Sequence, residues 1–529
     1  MDMKRLFASL SISRLVAALR LWPVSPSKFA YESALRSELF SAEQMAEHGM
    51  LLARQHHLSP CSATDVLLER LADNEVLLAR SCRLLTQATL STRRVTPAAE
   101  WLLDNFYLIE EQIRTAQLHL PKGYSRELPR LARGPSAGLS RVYDIALEII
   151  SHGDGRVDSH SLSRFIAAYQ SVTPLTLGEL WAIPIMLRLA LIENLRRVAS
   201  RVIADWNDCN LAENWADRLA EIAEQDAKSV VLTVADMARS APPMTSSFVA
   251  ELTRRLQGQS AALALPLTWI EQLLSESGLS IEHLVQLEAQ QQAADQVSIS
   301  HSIGSLRLLS ATDWCEFVES MSIVEQTLRQ DPSAVYGAMD FATRDHYRHV
   351  VERLARSSKQ SEDRVAQAAI ALAGEHPAAE LTGHVGYYLI DHGLPALQAQ
   401  IGAQLSLRDM RRWLQGCAPL SIYLSLALLF TLALAWPFIA LAQSAGWSNS
   451  LLLVLALPTL LMASQPGIGL VNWLVTLSVR PSVLPRMDFD LGIPTDARTL
   501  VVVPTLIGNT DDVEELVEGL EVRFLANRD

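Results

Sequence analysis

A chain of 529 residues is too long for one hydrophobic core, since single domains run to ~100–200 residues. With 49% hydrophobic and 19% charged residues it has the composition of a folded protein and not of a disordered one. Its formal net charge of −13 argues against the basic face that phosphate backbones require, so no nucleic-acid partner is expected.

Residues 1–25 form an amphipathic N-terminal segment that superficially resembles a signal peptide. Arg14 and Arg20 interrupt its apolar run and no small-residue cleavage site follows, so the expectation is a helix docked on its own domain, with a surface-lying membrane helix as the alternative. From about Ser27 to Arg412 apolar residues recur at three- and four-residue spacing, as in Leu67, Leu71, Val76, Leu77, Leu78, Leu84 and Leu85. The region is therefore expected to be helical throughout. Thr96-Pro97 sets a capping hydroxyl before a proline in the first turn, opening a helix to about Leu118. Thr176 and Glu179 form a capping box that opens a helix expected to reach about Ala204. Arg188, Arg196, Arg197 and Arg201 lie along that helix with Glu193, and are read as serving the helix dipole and solvent. Breaks near Gly134-Pro135-Ser136, at Ala241-Pro242-Pro243 and between Gly374 and Gly383 divide the region; the double proline separates helical subdomain 1 (26–241) from helical subdomain 2 (242–412).

Between Arg412 and Arg480 there is no Asp, Glu, Lys, Arg or His. A spanning helix needs ~20 apolar residues, so 413–479 reads as a transmembrane hairpin with spans at about 420–442 and 451–474. Pro458, Pro466, Gly467 and Gly469 leave open whether the second span is one kinked helix or an early crossing with an interfacial tail. Arg408, Arg411 and Arg412 precede the hairpin, Arg480 and Arg486 follow it, and the turn is uncharged, so both ends are expected in the cytoplasm. Beyond it, Thr499 to Val503 has the β-branched, unbroken apolar character of a buried parallel strand, and Val513, Leu516, Val517, Leu520 and Phe524 stripe a following helix. One βα unit cannot bury itself, so 480–529 reads as the truncated start of an α/β domain. The fold class expected is mainly α: a large multi-helix region, a two-pass hairpin, then one βα unit.

Motif chemistry is sparse. Walker A, GxGxxG, HExxH and GxSxG are absent. Cys61, Cys82, Cys209, Cys315 and Cys417 are scattered and form no CxxC pair, so reduced, mostly buried thiols are expected. The run from His152 to His160 holds two histidines with Asp154 and Asp158, yet fails as an EF-hand because its end positions fall on Ile150 and Ser161. An interhelical turn with an aspartate cap is the expectation, and a metal site the alternative. Glu110 and Glu111 are neighbours on a helix, point apart, and read as surface charge.

PAAEWLLDNFYLIEEQIR (Pro97–Arg114), LPKGYSRELPRLARGP (Leu120–Pro135), RVYDIALEIISHGDGRVD, AYQSVTPLTLGELWAIPIMLRLALIENLRRVA, MDFATRDHYRHVVERLAR and HVGYYLIDHG resemble the N-terminal region of bacterial cyclic β-1,2-glucan synthases. ARTLVVVPTLIGNTDDVEELVEGLEVRFLANRD resembles the start of their glucosyltransferase domain, and the resemblance runs from about Tyr31 to Asp529. It implies the membrane-anchoring part of a large inner-membrane enzyme that builds β-1,2-glucan from UDP-glucose, with the lipid bilayer, UDP-glucose and the growing glucan as partners. It implies a divalent metal for the intact enzyme but none in this chain, no catalytic residue before Asp529, and no glucose transfer by this chain alone. Val503, Pro504 and Thr505, at the C-terminal end of the expected strand, would lie beside the nucleotide, with plain strand termination as the alternative. The competing class is a non-enzymatic helical scaffold tethered to the membrane.

Overall fold

The computed structural model describes residues 35–59, 66–90, 95–120, 127–403, 419–478, 484–490, 492–499, 502 and 508–526. The amphipathic N-terminal segment lies outside them. Packing divides the chain into two compact units, Met1–Ser322 and Ile323–Asp529. The double proline Pro242-Pro243 lies within the first.

The first unit opens with α1 (Ala42–Gln55), α2 (Leu67–Leu90), α3 (Pro97–Asp104), α4 (Phe106–His119), α5 (Arg141–His152), α6 (Ser159–Gln170) and α7 (Leu177–Gln225). Thr96 caps α3 through the Ala99 amide, and Thr176 with Glu179 closes a full capping box on α7, as their spacing predicts. Two boundaries differ from expectation. The Thr96 helix breaks at Asn105, whose side-chain amide donates to the Trp101 carbonyl while its oxygen accepts from Arg307. The Thr176 helix continues past Ala204 to Gln225, because Ala212, Ala216 and Leu219, at helical spacing, carry it into a second core.

That second core is completed by α8 (Val230–Ser240), α9 (Ser246–Leu256), α10 (Ala264–Ser275) and the start of α11 (Ile281–Ala311). The far half of α11 and α12 (Trp314–Met321) return to the first core. The long helix α7 thus serves both cores. It is buried almost all round from Leu177 to Val202 and on one stripe beyond. Among the described residues, strand is limited to one antiparallel pair, β1 (Leu58–Ser59) with β2 (Arg130–Leu131), in which Leu58 faces Leu131. Two residues per strand carry no periodicity from which to predict them.

In the second unit, α13 (Ile323–Leu328), α14 (Phe341–Ser358), α15 (Glu362–Gly374), α16 (Val385–Ile390) and α17 (Leu394–Ile401) close over Val351, Val365, Ala366, Ala369 and Leu397. The hairpin is α18 (Pro419–Ser444) and α19 (Asn449–Ser478), and α20 (Thr510–Ala526) follows. The second span is one continuous helix through Pro458 and Pro466. Of the strand expected over 499–503, Thr499 and Val502 are described and neither is in a strand; the rest lies outside the described residues. The molecule is mainly α, as its patterning predicts.

Candidate functional site

Polar chemistry concentrates in three places: the turn after α5, the buried charge networks, and the hairpin with the segment that follows it.

At the turn, Gly153 ends α5 and Asp158 caps α6, its carboxylate accepting from the Ser161 amide at 2.9 Å. Partial burial pushes the Asp158 carboxyl up, but the two Ser161 bonds outweigh it and hold the group below its usual range. Gly155 has φ +79°, and a Cβ there would meet Ser302 Oγ at 2.4 Å, so the glycine allows the turn to lie against α11. Asp154 pairs with Arg36 at 3.1 Å and His160 is exposed on α6. The turn is structural, and Asp154, Asp158 and His160 do not converge with His152. His152 instead faces Glu148 one helical turn back, at 3.3 Å, and His48 of α1 lies 2.9 Å from the same carboxylate oxygen. A cleft of about 400 Å³ adjoins the turn, lined by Phe40, Met45, His152, Asp154, Asp158 and His301 among others.

The arginines read as solvated are not. Glu193 is fully buried and accepts from Arg70 at 2.8 Å, Asn74 at 2.8 Å, Arg196 at 2.7 Å and Arg197 at 2.9 Å. Arg188 is buried and donates to Gln112 and to the Leu309 carbonyl, and Arg201 pairs with Asp295. A long apolar helix cannot carry this many cations inward without partners; these are Glu193 of α7 itself, Gln112 of α4, and Asp295 and the Leu309 carbonyl of α11. Burial alone would raise the Glu193 carboxyl, but the Arg70 hydrogen bonds and the surrounding arginine charges hold it well below the ordinary carboxylate range. In the second unit, buried Glu325 accepts from Arg348 at 2.6 Å, Tyr336 at 2.6 Å and Arg329 at 2.8 Å. Carboxylates engaged in this way by several buried donors organise a core. Glu110 and Glu111 are exposed, in accord with the surface reading. Cys82, Cys209 and Cys315 are of intermediate burial, less enclosed than expected, and Cys61 and Cys417 lie outside the described residues.

The hairpin spans are Leu420–Ser444 and Asn449–Leu477, with mean hydropathies of 2.2 and 1.8. At 1.5 Å per residue the shorter, of 25 residues, extends about 38 Å, more than the ~30 Å hydrocarbon layer. Leucine, tryptophan and phenylalanine side chains point outward along both, including Leu424, Leu428, Trp436, Phe438, Leu453 and Leu461. A core helix of a soluble protein would bury these side chains; lipid accounts for their exposure. The helices meet where Gly467 lies against Thr431 and where Tyr423 donates to Asn472 at 2.9 Å. After the hairpin the chain returns to the helical part of its own unit. The Arg486 amide donates to Thr343 Oγ1 at 3.0 Å, its carbonyl accepts from the Asp340 amide at 3.0 Å, and the Asp488 amide donates to the Ala338 carbonyl at 2.8 Å.

Val503, Pro504 and Thr505 lie outside the described residues. On α20, Asp511 and Asp512 are consecutive, and Asp512 accepts from the Gly508 and Asn509 amides at 3.0 and 3.3 Å. A capping carboxylate with a diverging neighbour does not fit a diphosphate-bound metal ion.

Fold and site together define a membrane-associated helical protein: packed helical cores and an outward-facing apolar hairpin. No family model matches the chain. It is 33% identical over 511 residues to the cyclic beta-(1,2)-glucan synthase NdvB of Rhizobium meliloti, an alignment covering 94% of this chain and 18% of that protein. The resemblance read from the local segments is therefore present along nearly the whole chain, which spans under a fifth of the relative's length.

Proposed function

We propose that the chain is the N-terminal membrane-anchoring part of a cyclic β-1,2-glucan synthase, a glucosyltransferase that polymerises glucose from UDP-glucose in the bacterial inner membrane. The observation that carries this reading is the extended identity: 33% is held over 94% of the chain, which is enough to take in the helical cores as well as the hairpin. A shared hairpin alone would support mere membrane attachment. In this reading the helical region and hairpin hold the enzyme at the cytoplasmic face, where UDP-glucose is supplied. The growing glucan and the divalent metal of the intact enzyme belong to parts outside this chain, which transfers no glucose by itself.

Both ends of the hairpin lie on the cytoplasmic side. The arginine flanks support this, and so does the pairing of Arg486 and Asp488 with Ala338–Thr343, which draws the returning chain onto the helices that precede the hairpin. The test is a pair of reporter fusions active only in the periplasm. A fusion at Asn449 is expected to be active and one at Asp488 inactive; the reverse, or activity from neither in correctly inserted protein, contradicts the reading.

A further inference from the structure

We propose that His48, Glu148 and His152 form a binding site for one divalent transition-metal ion, zinc by the chemistry of the donors. Two imidazoles and a carboxylate are a set that zinc takes, with further positions left for water. The three donor atoms lie within 4.8 Å of one another. A tetrahedral ion with bonds of ~2.0–2.1 Å sets its donors about 3.3 Å apart. The His48–Glu148 and His152–Glu148 edges, at 2.9 and 3.3 Å, already have that scale, and the edge between the two imidazoles is no longer than 4.8 Å.

The hydrogen-bond geometry of His152 is a second observation. Its Nδ1 lies 2.7 Å from the Glu38 carbonyl oxygen, which can only accept, so Nδ1 carries a hydrogen. In the neutral ring Nε2 is then a bare lone pair, and it faces the Glu148 oxygen. Two acceptors in contact require a positive centre between them, and a metal ion supplies it as well as an added proton does. A backbone carbonyl holding the far nitrogen of a ligating histidine is also the usual support for such a ligand. The Phe40 ring, stacked on His152 at 3.9 Å with an interplanar angle of 8°, fixes the imidazole plane.

The elements make the site reachable and give it a purpose. Glu148 and His152 are one turn apart on α5, and His48 comes from α1. Side-chain exposures of 18% for His48, 31% for Glu148 and 12% for His152 leave a path for the ion from solvent. A bound ion adds a cross-link between α1, the first described helix, and α5, which already share the first core. It acts as a clamp, distinct from the metal of any glucosyl transfer.

The test uses the full, untagged chain purified in detergent, stripped with chelator, then loaded with zinc sulfate or cobalt(II) chloride. Expected are about one retained zinc per chain, a raised thermal unfolding midpoint that chelator reverses, and the visible ligand-field bands of tetrahedral cobalt(II). His48→Gln and Glu148→Gln are each expected to weaken zinc binding by more than ~10-fold, the least that loss of even a supporting partner brings, while His160→Gln leaves it unchanged. Far-ultraviolet circular dichroism establishes that the variants remain folded, and the cobalt bands test the native chain without any variant. Failure of the native chain to retain zinc or to shift its midpoint overturns the proposal and assigns the positive centre to a shared proton. So does zinc retained undiminished by both His48→Gln and Glu148→Gln.

Discussion

At the scale of single residues, charge is handled by burial with partners and not by solvent. Glu193→Ala leaves the buried Arg196 guanidinium without its main carboxylate, and loss of one partner from such a pair costs about 3–5 kcal/mol. The expected outcome is a marked fall in the chemical-denaturation midpoint of the full chain, against a change within about 0.5 kcal/mol for the exposed Glu110→Gln. Because the Glu193 carboxyl is held below its ordinary value near 4.3, its contribution is complete above that pH and fades as pH falls toward the depressed folded value. The native chain should therefore lose stability on acidification more steeply than Glu193→Gln. Local chemistry of this kind is legible in sequence only when the partners are close along the chain. The Asp158 cap on Ser161 could be read from a three-residue offset, whereas His48 and Glu148 are 100 positions apart and nothing local joins them. The arginines of α7 were misread for the same reason: Arg70 and Asn74, which complete the Glu193 cage, sit more than a hundred residues upstream.

At the scale of elements, starts were more legible than stops. A capping hydroxyl followed by Pro97, or by a glutamate three positions on, specifies an N-terminus through bonds within one turn, and Thr96 and Thr176 respectively act as read. The break at Asn105 and the continuation of α7 to Gln225 depend on Arg307 and on the second core, which local pattern does not reveal. The hairpin was readable because an uncharged stretch of this length has few alternatives to lipid. Its packing makes a sharp comparison between two glycines two residues apart. A Cβ at Gly467 would lie 3.0 Å from Thr431 Oγ1, while one at Gly469 meets nothing within 4 Å. Gly467→Leu should force α18 and α19 apart at a cost of about 1–3 kcal/mol, lowering the unfolding midpoint in detergent, and Gly469→Leu should leave it unchanged. Equal effects at both positions would mean that the helices do not meet as described.

At the scale of the whole molecule, composition argues against a nucleic-acid binder and the hydropathy pattern marks a membrane hairpin, but neither identifies a reaction. The engaged carboxylates of the helical cores and the capping role of Asp512 offer no catalytic constellation among the described residues. Functional assignment therefore rests on the extended likeness to NdvB and on what a helical anchor with a two-helix hairpin can do for an enzyme joined to it. The direct measurement is made on membranes from Rhizobium meliloti lacking NdvB and carrying an NdvB chimera in which this chain replaces the 511-residue matched region. Membranes of the same strain carrying this chain alone serve as the comparison. Supplied with radiolabelled UDP-glucose, the membrane-inserted chimera is expected to form labelled β-1,2-glucan and the chain alone none. Glucan made by the chain alone, or none made by a stably inserted chimera, would contradict the account.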